Sequence, residues 1–382
     1  MASPITTDMG TPSFSVLVDG EDVGAKYAIK SISVSKEINK VSKAKIIIMD
    51  GDPAEQTFEG SASNDFDPNK SVSIKMGYDQ VENEVFSGII TGQSLNVKFK
   101  TSELVVNCMD KAFQLALTRK TTNFVKKKDS DVISEIITDY GLTKSVTATT
   151  FEHPNLVQYN CSDWDFILAR ADANAMVIIN EDSKLTIADP VVSGSAVLDL
   201  NFGIDVLGFA ADMDAQNQLD AVAFQSWDSG QMSLVKGTGT EPSVNAHGDV
   251  TGVTLAAAGN SPSIALSSSA PEDSSLLISW AKSHLQRSRL SKIRGFVSFI
   301  GNSSPLVGKL LNLSGFSPHF NGDAYLTKVI HTLEDGFWKT EAGFGMQPKT
   351  FTDEGTIQGP SALGLLPGIS GVHIGKVKKI DT

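Results

Sequence analysis

The sequence predicts a mainly β protein interrupted by a small α+β insertion. Three observations predict it. From Ser13 to Asp110 apolar residues recur with period two. Between residues 121 and 190 that rhythm gives way to helical stripes. Beyond Val197 the alternation returns.

Taken in order, Phe14, Val16 and Val18 alternate with polar neighbours. So do Ile32 and Val34, then Ala44, Ile46 and Ile48, then Val72, Ile74 and Met76. Further runs cover Glu84 to Val97 and Glu103 to Met109, with turns at Asp19-Gly20, Asp50-Gly51 and Gly77. Roughly six or seven short, half-buried strands predict a sandwich or a closed barrel.

Asp129 to Tyr140 then sets Val132, Ile133, Ile136, Ile137 and Tyr140 on one helical stripe, with Gly141 as the residue that ends it. Ser162 to Ala173 repeats the device. Ser162 is the expected cap, Asp165 stands at the third helical position, and Trp164, Ile167, Leu168 and Ala171 form the stripe. Met176 to Ala188 reads as a hairpin turning at Asp182-Ser183.

Ile204 to Met213, Asp220 to Trp227 and Gln231 to Lys236 read as extended. Gly237 to Ser275, rich in Gly, Ser, Ala and Thr, reads as either a flexible excursion or a weak hairpin. Pro271, Glu272 and Asp273 open a helix whose buried face is Leu276, Leu277, Trp280, Ala281, His284 and Leu285. Arg287, Arg289, Lys292 and Arg294 then read as dipole-complementary charge on a solvated face; the alternative is contact with an acidic neighbouring subunit. The last strands are Gly295–Ile300, Lys309–Leu313, Asp323–Glu334 and Phe337–Met346.

Ser73 to Ser94 (SIKMGYDQVENEVFSGIITGQS) echoes Asn312 to Leu333 (NLSGFSPHFNGDAYLTKVIHTL). Each has a short strand, a Gly (Gly77, Gly315), an aromatic (Tyr78, Phe316) and a polar turn. A second strand follows with an aromatic (Phe86, Tyr325) and aliphatics (Ile89 and Ile90, Val329 and Ile330). The echo suggests two barrels of one design separated by the insertion.

Composition excludes several functions. The 382 residues predict two or three domains, and 41% hydrophobic against 20% charged residues allows a core. With 32 basic and 44 acidic side chains the net charge is −12, and no region has a positive balance. Nucleic-acid binding and docking on an anionic membrane are therefore not expected. Cys108 and Cys161 are too few for a disulfide framework or a zinc site and read as buried hydrophobes. No apolar run approaches the ~20 residues of a membrane span. No signal peptide is visible from Met1 to Gly10, so folding in the cytoplasm is expected.

The search for chemistry is short. There is no HExxH and no G-x-S-x-G. The six histidines are scattered, and only His319 and His331 are placed to approach each other across strands. Gly301 to Lys309 (GNSSPLVGK) fails as a phosphate loop because its first Gly is misplaced and Leu310 stands where Ser or Thr is needed. Gly237-Thr238-Gly239 lacks the third Gly of a dinucleotide fingerprint. Asp163 and Asp165 lie in a helix first turn. Asp212 and Asp214, two apart on one strand, are the carboxylate pair an acid/base mechanism would use. No catalytic residue, cofactor or metal ligand is assigned.

Four segments together resemble one family. YNCSDWDFILARADANAMVI (Tyr159 to Ile178) resembles the Q-x-x-sDwdFl-x-R-x-a-x-x-G stretch of the phage late-control D and VgrG hub, or spike-base, proteins of contractile injection systems. VFSGIITG (Val85 to Gly92) resembles their lFxGiVt strand. Ser303 to Gly345 is similar to their G-d-Y-x-v-t-x-v-x-H hub ending, and Leu365 to Asp381 to their entry into an OB-like segment. Asn174-Ala175 departs from the pattern, which has Gly there; Asn is the expected left-handed substitute.

The resemblance implies two tube-like antiparallel β-barrels, 1–120 and 191–350, the α+β insertion 121–190, and 351–382 as linker and start of an OB-like segment. It implies a non-enzymatic homotrimer with a hexameric tube protein above, a spike below and baseplate proteins around it. The spike is then either a separate polypeptide or a continuation beyond the sequence given. No nucleic acid, cofactor or stable membrane insertion is implied, and the particle is phage-tail-like, type VI-like or extracellular. Phe86, Gly88, Trp164, Phe166, Tyr325 and His331 are the family-pattern positions, each a core or interface residue. Gly364, Pro367, Gly368 and Gly371 are the expected spike junction. Two rival classes are a baseplate glycan hydrolase using Asp212 with Asp214 and a carbohydrate-binding sandwich. The absent signal peptide and only 7% aromatics count against the second.

Overall fold

Alternation becomes strand wherever one side of the pleat finds a core. The computed structural model describes residues 10–52, 54–98, 101–268 and 272–354. Its first strands are β1 (Pro12–Val18), β2 (Glu21–Asp22), β3 (Ile29–Glu37) and β4 (Lys43–Met49). After the short helix α1 (Glu59–Ala62) come β5 (Ser71–Tyr78), β6 (Val81–Lys98) and β7 (Thr101–Met109). Val16, Ile32, Val34, Ile46, Ile74 and Phe86 point inward and meet in one core. Each such side chain contributes about 1.5–3 kcal/mol by leaving water.

The insertion holds β8 (Arg119–Lys128), α2 (Asp129–Asp139), β9 (Thr143–Val146), β10 (Glu152–Ser162), α3 (Asp163–Ala173), β11 (Val177–Glu181) and β12 (Lys184–Ala188). Ser162 caps α3 by accepting from Asp165 N at 3.1 Å. The β11–β12 hairpin turns through Asp182 and Ser183, both left-handed at φ 50° and 61°, as a two-residue turn requires. Sequence periodicity did not reveal that β10 pairs back onto β8 or that β9 runs parallel to β12. Both pairings join segments distant in sequence. Asp129 ties the two helices together: its carboxylate accepts from Arg170 Nε at 2.6 Å and Nη2 at 2.9 Å, and from Asn174 Nδ2 at 2.8 Å.

The backbone that follows α3 corrects an expectation. Asn174 is not the left-handed residue after α3 (φ −99°); Ala175 is, at φ 60°. Ala175 N–H donates to Asp172 O and Met176 N–H to Ala171 O, the paired bonds of a Schellman ending.

The remaining elements are β13 (Asp199–Asn201), β14 (Val206–Met213), β15 (Ala221–Asp228), β16 (Ser233–Thr238), α4 (Gly252–Ala258), β17 (Ser263–Ser268), α5 (Ser274–Leu290), β18 (Ile293–Ile300), β19 (Leu310–Ser314), β20 (Gly322–Glu334) and β21 (Phe337–Phe344). Among its described residues, the stretch 237–275 is neither excursion nor hairpin. Thr251 caps α4, which carries the chain across so that β17 lies parallel to β15. A parallel crossover leaves no turn signal in the sequence.

The basic end of α5 is also not solvated. Arg287 and Arg289 are 6% and 3% exposed. Arg287 pairs with Asp172 of α3, and Arg289 forks onto Glu241 at 2.6 and 2.8 Å. Their acidic partners lie within the same chain, 115 and 48 residues away.

Thirteen strands make one sheet, ordered β14-β18-β21-β20-β3-β4-β7-β6-β5-β1-β2, with β19 joining β13 to β20. Among the described residues no pairing closes either half on itself; the antiparallel β20·β3 contact fuses them. The order β3-β4-β7-β6-β5-β1 recurs as β14-β18-β21-β20-β19-β13, strand for strand in chain order. The outermost pairs differ in sense, β1·β5 being antiparallel and β13·β19 parallel.

Irregularities repeat too. Thr91 and Thr327 are the extra residues of matching bulges, as are Lys30 and Leu207. The register makes Ile89, not Phe86, the counterpart of Tyr325, since these face Ser71 and Leu310. The ungapped echo misplaced Phe86 because the turn shortens. Ile74 faces Phe86 twelve residues on, whereas Leu313 faces Gly322 only nine residues on.

Candidate functional site

The sheet's own internal junction shows what its edges can do. β20 and β3 pair from Lys328↔Glu37 to Glu334↔Ser31. Ile38 N–H extends the ladder to Thr327 O at 2.9 Å. The inward side chains of this seam are sealed: Ile32 and Val34 are 0% exposed, His331 4% and Leu333 6%. His331 Nδ1 lies 3.0 Å from Thr340 Oγ1, and its ring is 5.9 Å from that of Trp338. Burial, with Lys36 nearby, pushes His331 down to about 3, so it is neutral.

Two comparable edges have no partner among the described residues. One is β14, paired only with β18. The other is the distal half of β6. Gly92 to Lys98 pairs with β7 on one side, while β5 covers the opposite side only as far as Ile89. Gln93 to Lys98 is exposed throughout, including Leu95 at 42% and Val97 at 64%. Beside β14, Phe202, Ile204 and Leu207 are 63%, 66% and 53% exposed. Unpaired strand edges flanked by apolar side chains are association surfaces.

The family-pattern residues do not converge on one site. Phe86 lies in the core of the first half and Tyr325 in that of the second. Trp164 and Phe166 lie in the insertion core, Phe166 stacked on Phe124 at 6.0 Å. All four are buried. The Tyr325 hydroxyl makes no hydrogen bond among the described residues. Gly88 is required by close approach: a Cβ there would stand 2.5 Å from Met109 O. Only His331 sits in the seam between halves. Gly364, Pro367, Gly368 and Gly371 lie outside the described residues.

Asp212 is exposed on β14, whereas Asp214 follows the strand's end. There its carboxylate accepts from Gln216 N at 2.7 Å and Asn217 Nδ2 at 2.5 Å. His319 and His331 do not meet: His319 is on the surface, 2.5 Å from Asp249. Cys108 and Cys161 are free and buried, and burial raises the pKa of both thiols. Among the described residues no group of three or more His, Cys, Asp and Glu side chains is placed to hold a metal ion, and no helix is long and apolar enough to cross a membrane.

The family model of the Alg8 N-terminal domain matches residues 8–335. None of the curated proteins matches the sequence. Among solved structures, the 43 kDa tail protein of prophage MuSo2 from Shewanella oneidensis aligns at 9% identity and a TM-score of 0.66, covering 88% of this chain and 98% of that one. A tail protein from Neisseria meningitidis MC58 aligns at 14% and 0.65, covering 88% and 97%. The E. coli c3393 protein, a type VI secretion component described as similar to the T4 tail proteins gp27 and gp5, aligns at 9% and 0.52, covering 87% and 79%. At such identities the likeness is one of fold. The fold is that of phage tail proteins and a type VI secretion component, as the segments within 85–92, 159–178 and 303–345 implied; Leu365 to Asp381, the expected entry into an OB-like segment, lies outside the described residues.

Proposed function

The chain belongs to the Alg8 N-terminal domain family, and from its tail-protein fold we propose that it is the structural hub of a contractile injection system. In this reading it is a homotrimer without enzymatic activity, seated in a phage tail-like or type VI-like particle. A hexameric tube protein docks above, a trimeric spike below, and baseplate proteins surround it. Residues 1–120 and 191–350 are the two tube-facing units, 121–190 the insertion between them, and 351–382 the link to the spike. Folding and assembly occur in the cytoplasm before the particle acts.

One observation carries the reading: the strand order of one half recurs in the other with the same bulges. Three copies of a doubled unit offer six similar rims to a hexameric tube and keep threefold symmetry toward a spike. A single-unit chain would leave that symmetry mismatch unresolved.

Light scattering of the chain alone and with tube and spike proteins tests it. A trimer in at least one of these mixtures is expected. A stable monomer in all of them would overturn the proposal.

A further inference from the structure

The chain contains, between its own halves, a worked copy of the contact it would make with another chain. At the seam, β20 lends the free side of its distal half to the outer edge of β3. The repeated strand order makes β6 the counterpart of β20 and β14 the counterpart of β3. The free side of β6 beyond Ile90 and the outer edge of β14 are both unpaired among the described residues. They lie in different halves, so one copy's β14 meets the next copy's β6.

Matching bulges fix the register. Thr91 answers to Thr327 and Lys30 to Leu207, so Asn96 answers to Thr332 and Ala210 to Ser33. Thr332 and Ser33 are direct partners across the internal seam. We propose, resting on the homotrimeric reading above, that Gly92–Lys98 of one copy pairs antiparallel with Gly208–Asp214 of the next, with Asn96 opposite Ala210 and Leu95 opposite Ala211.

Burial argues the same way. Leu95 and Val97 are the counterparts of His331 and Leu333. The latter pair is 4% and 6% exposed; the former is 42% and 64%. Apolar side chains thus stand exposed where the equivalent positions pack against Trp338 and its neighbours. Across from them the next copy presents Ala211 and Phe209, the counterparts of Val34 and Ile32, which are 0% exposed. A second copy of this chain fits because it carries the β3-like edge with its bulge in place.

Paired cysteine substitutions test the register. Directly opposed residues in an antiparallel ladder have Cα atoms about 4.5–5.5 Å apart, within disulfide reach; a two-residue slip exceeds it. The chain carrying Asn96→Cys with Ala210→Cys, and separately Leu95→Cys with Ala211→Cys, is assembled with tube and spike proteins and oxidised. At least one pair is expected to give covalent trimers on a non-reducing gel. Asn96→Cys with Asp212→Cys, two residues out of register, is expected to give none. Trimers by light scattering that cross-link only out of register, or not at all, would sink this pairing and leave the hub reading standing. No trimer in any mixture would sink both.

Discussion

Asn69 and Gly308 occupy the same left-handed corner in the two halves of the sheet, at φ 78° and 80°. Each donates its backbone N–H at 2.8 Å to the counterpart strand carbonyl, Ile90 O and Leu326 O. Those strand residues return a bond to Lys70 O and Lys309 O at 2.9 and 2.8 Å. Asn is the residue other than Gly that visits this region most readily, so both choices meet one backbone demand.

The corner predicts unequal substitutions. Asn69→Gly is expected within about 0.5 kcal/mol of the parent, because no left-handed strain is added. Gly308→Ala is expected to lose about 1–2 kcal/mol, since a Cβ in this conformation is strained and would also stand 2.3 Å from Ile179 Cδ1. Urea denaturation of the two variants measures the difference; equal midpoints would contradict it.

Asp172 fastens three segments. It pairs with Arg287 of α5 and accepts from Phe351 N at 2.8 Å, while Arg287 Nη1 donates to Lys349 O at 3.1 Å. Both side chains of the pair are nearly sealed, 8% and 3% exposed. Arg287→Ala is expected to cost about 3–5 kcal/mol by stranding a buried carboxylate, and adding Asp172→Asn to recover part of that loss. A double-mutant cycle in urea reads the coupling, and additive losses would argue against it.

Buried neutral histidines predict acid sensitivity. Burial holds His331 at about 3 and His247 at about 4, both below the ordinary 6.5. Between those values and 6.5 the unfolded chain binds more protons, so stability rises with pH across that window. From pH 7 to pH 5 each should cost roughly 1–2 kcal/mol. Below about pH 4 Asp129 adds to the loss. Burial alone would raise it, but Arg170 and Asn174 hold it below its ordinary value. Denaturation midpoints at pH 7 and pH 5 check the sign. His331→Gln should flatten the dependence, and an unchanged slope would count against it.

Val97→Asp tests the exposed apolar edge without touching a core. Val97 is 64% exposed in the single chain, so its fold and thermal midpoint should change by less than about 0.5 kcal/mol equivalent. Trimer formation with tube and spike proteins should fall at least tenfold. Normal assembly of this variant would show that the β6 edge is not an interface.

The sequence by itself determined most of the local structure. Alternation placed Val16, Ile46, Ile74 and Val329 on buried faces, Ser162 capped its helix, and Asp182-Ser183 turned its hairpin. These signals are legible because period, cap and turn act between residues a few positions apart. Three short segments in order, within 85–92, 159–178 and 303–345, also carried the tail-protein fold. What lay beyond local chemistry was decided by tertiary structure. The basic end of α5 looked solvated because its acidic partners, Asp172 and Glu241, lie far off in the chain. The parallel run of β17 against β15 left no turn to read. The exact correspondence of the halves waited on hydrogen-bond register, since a turn shortened by three residues slid Phe86 away from Tyr325. Pairing across a sheet is a contact between distant segments, and the backbone groups that make it are the same in every residue but proline.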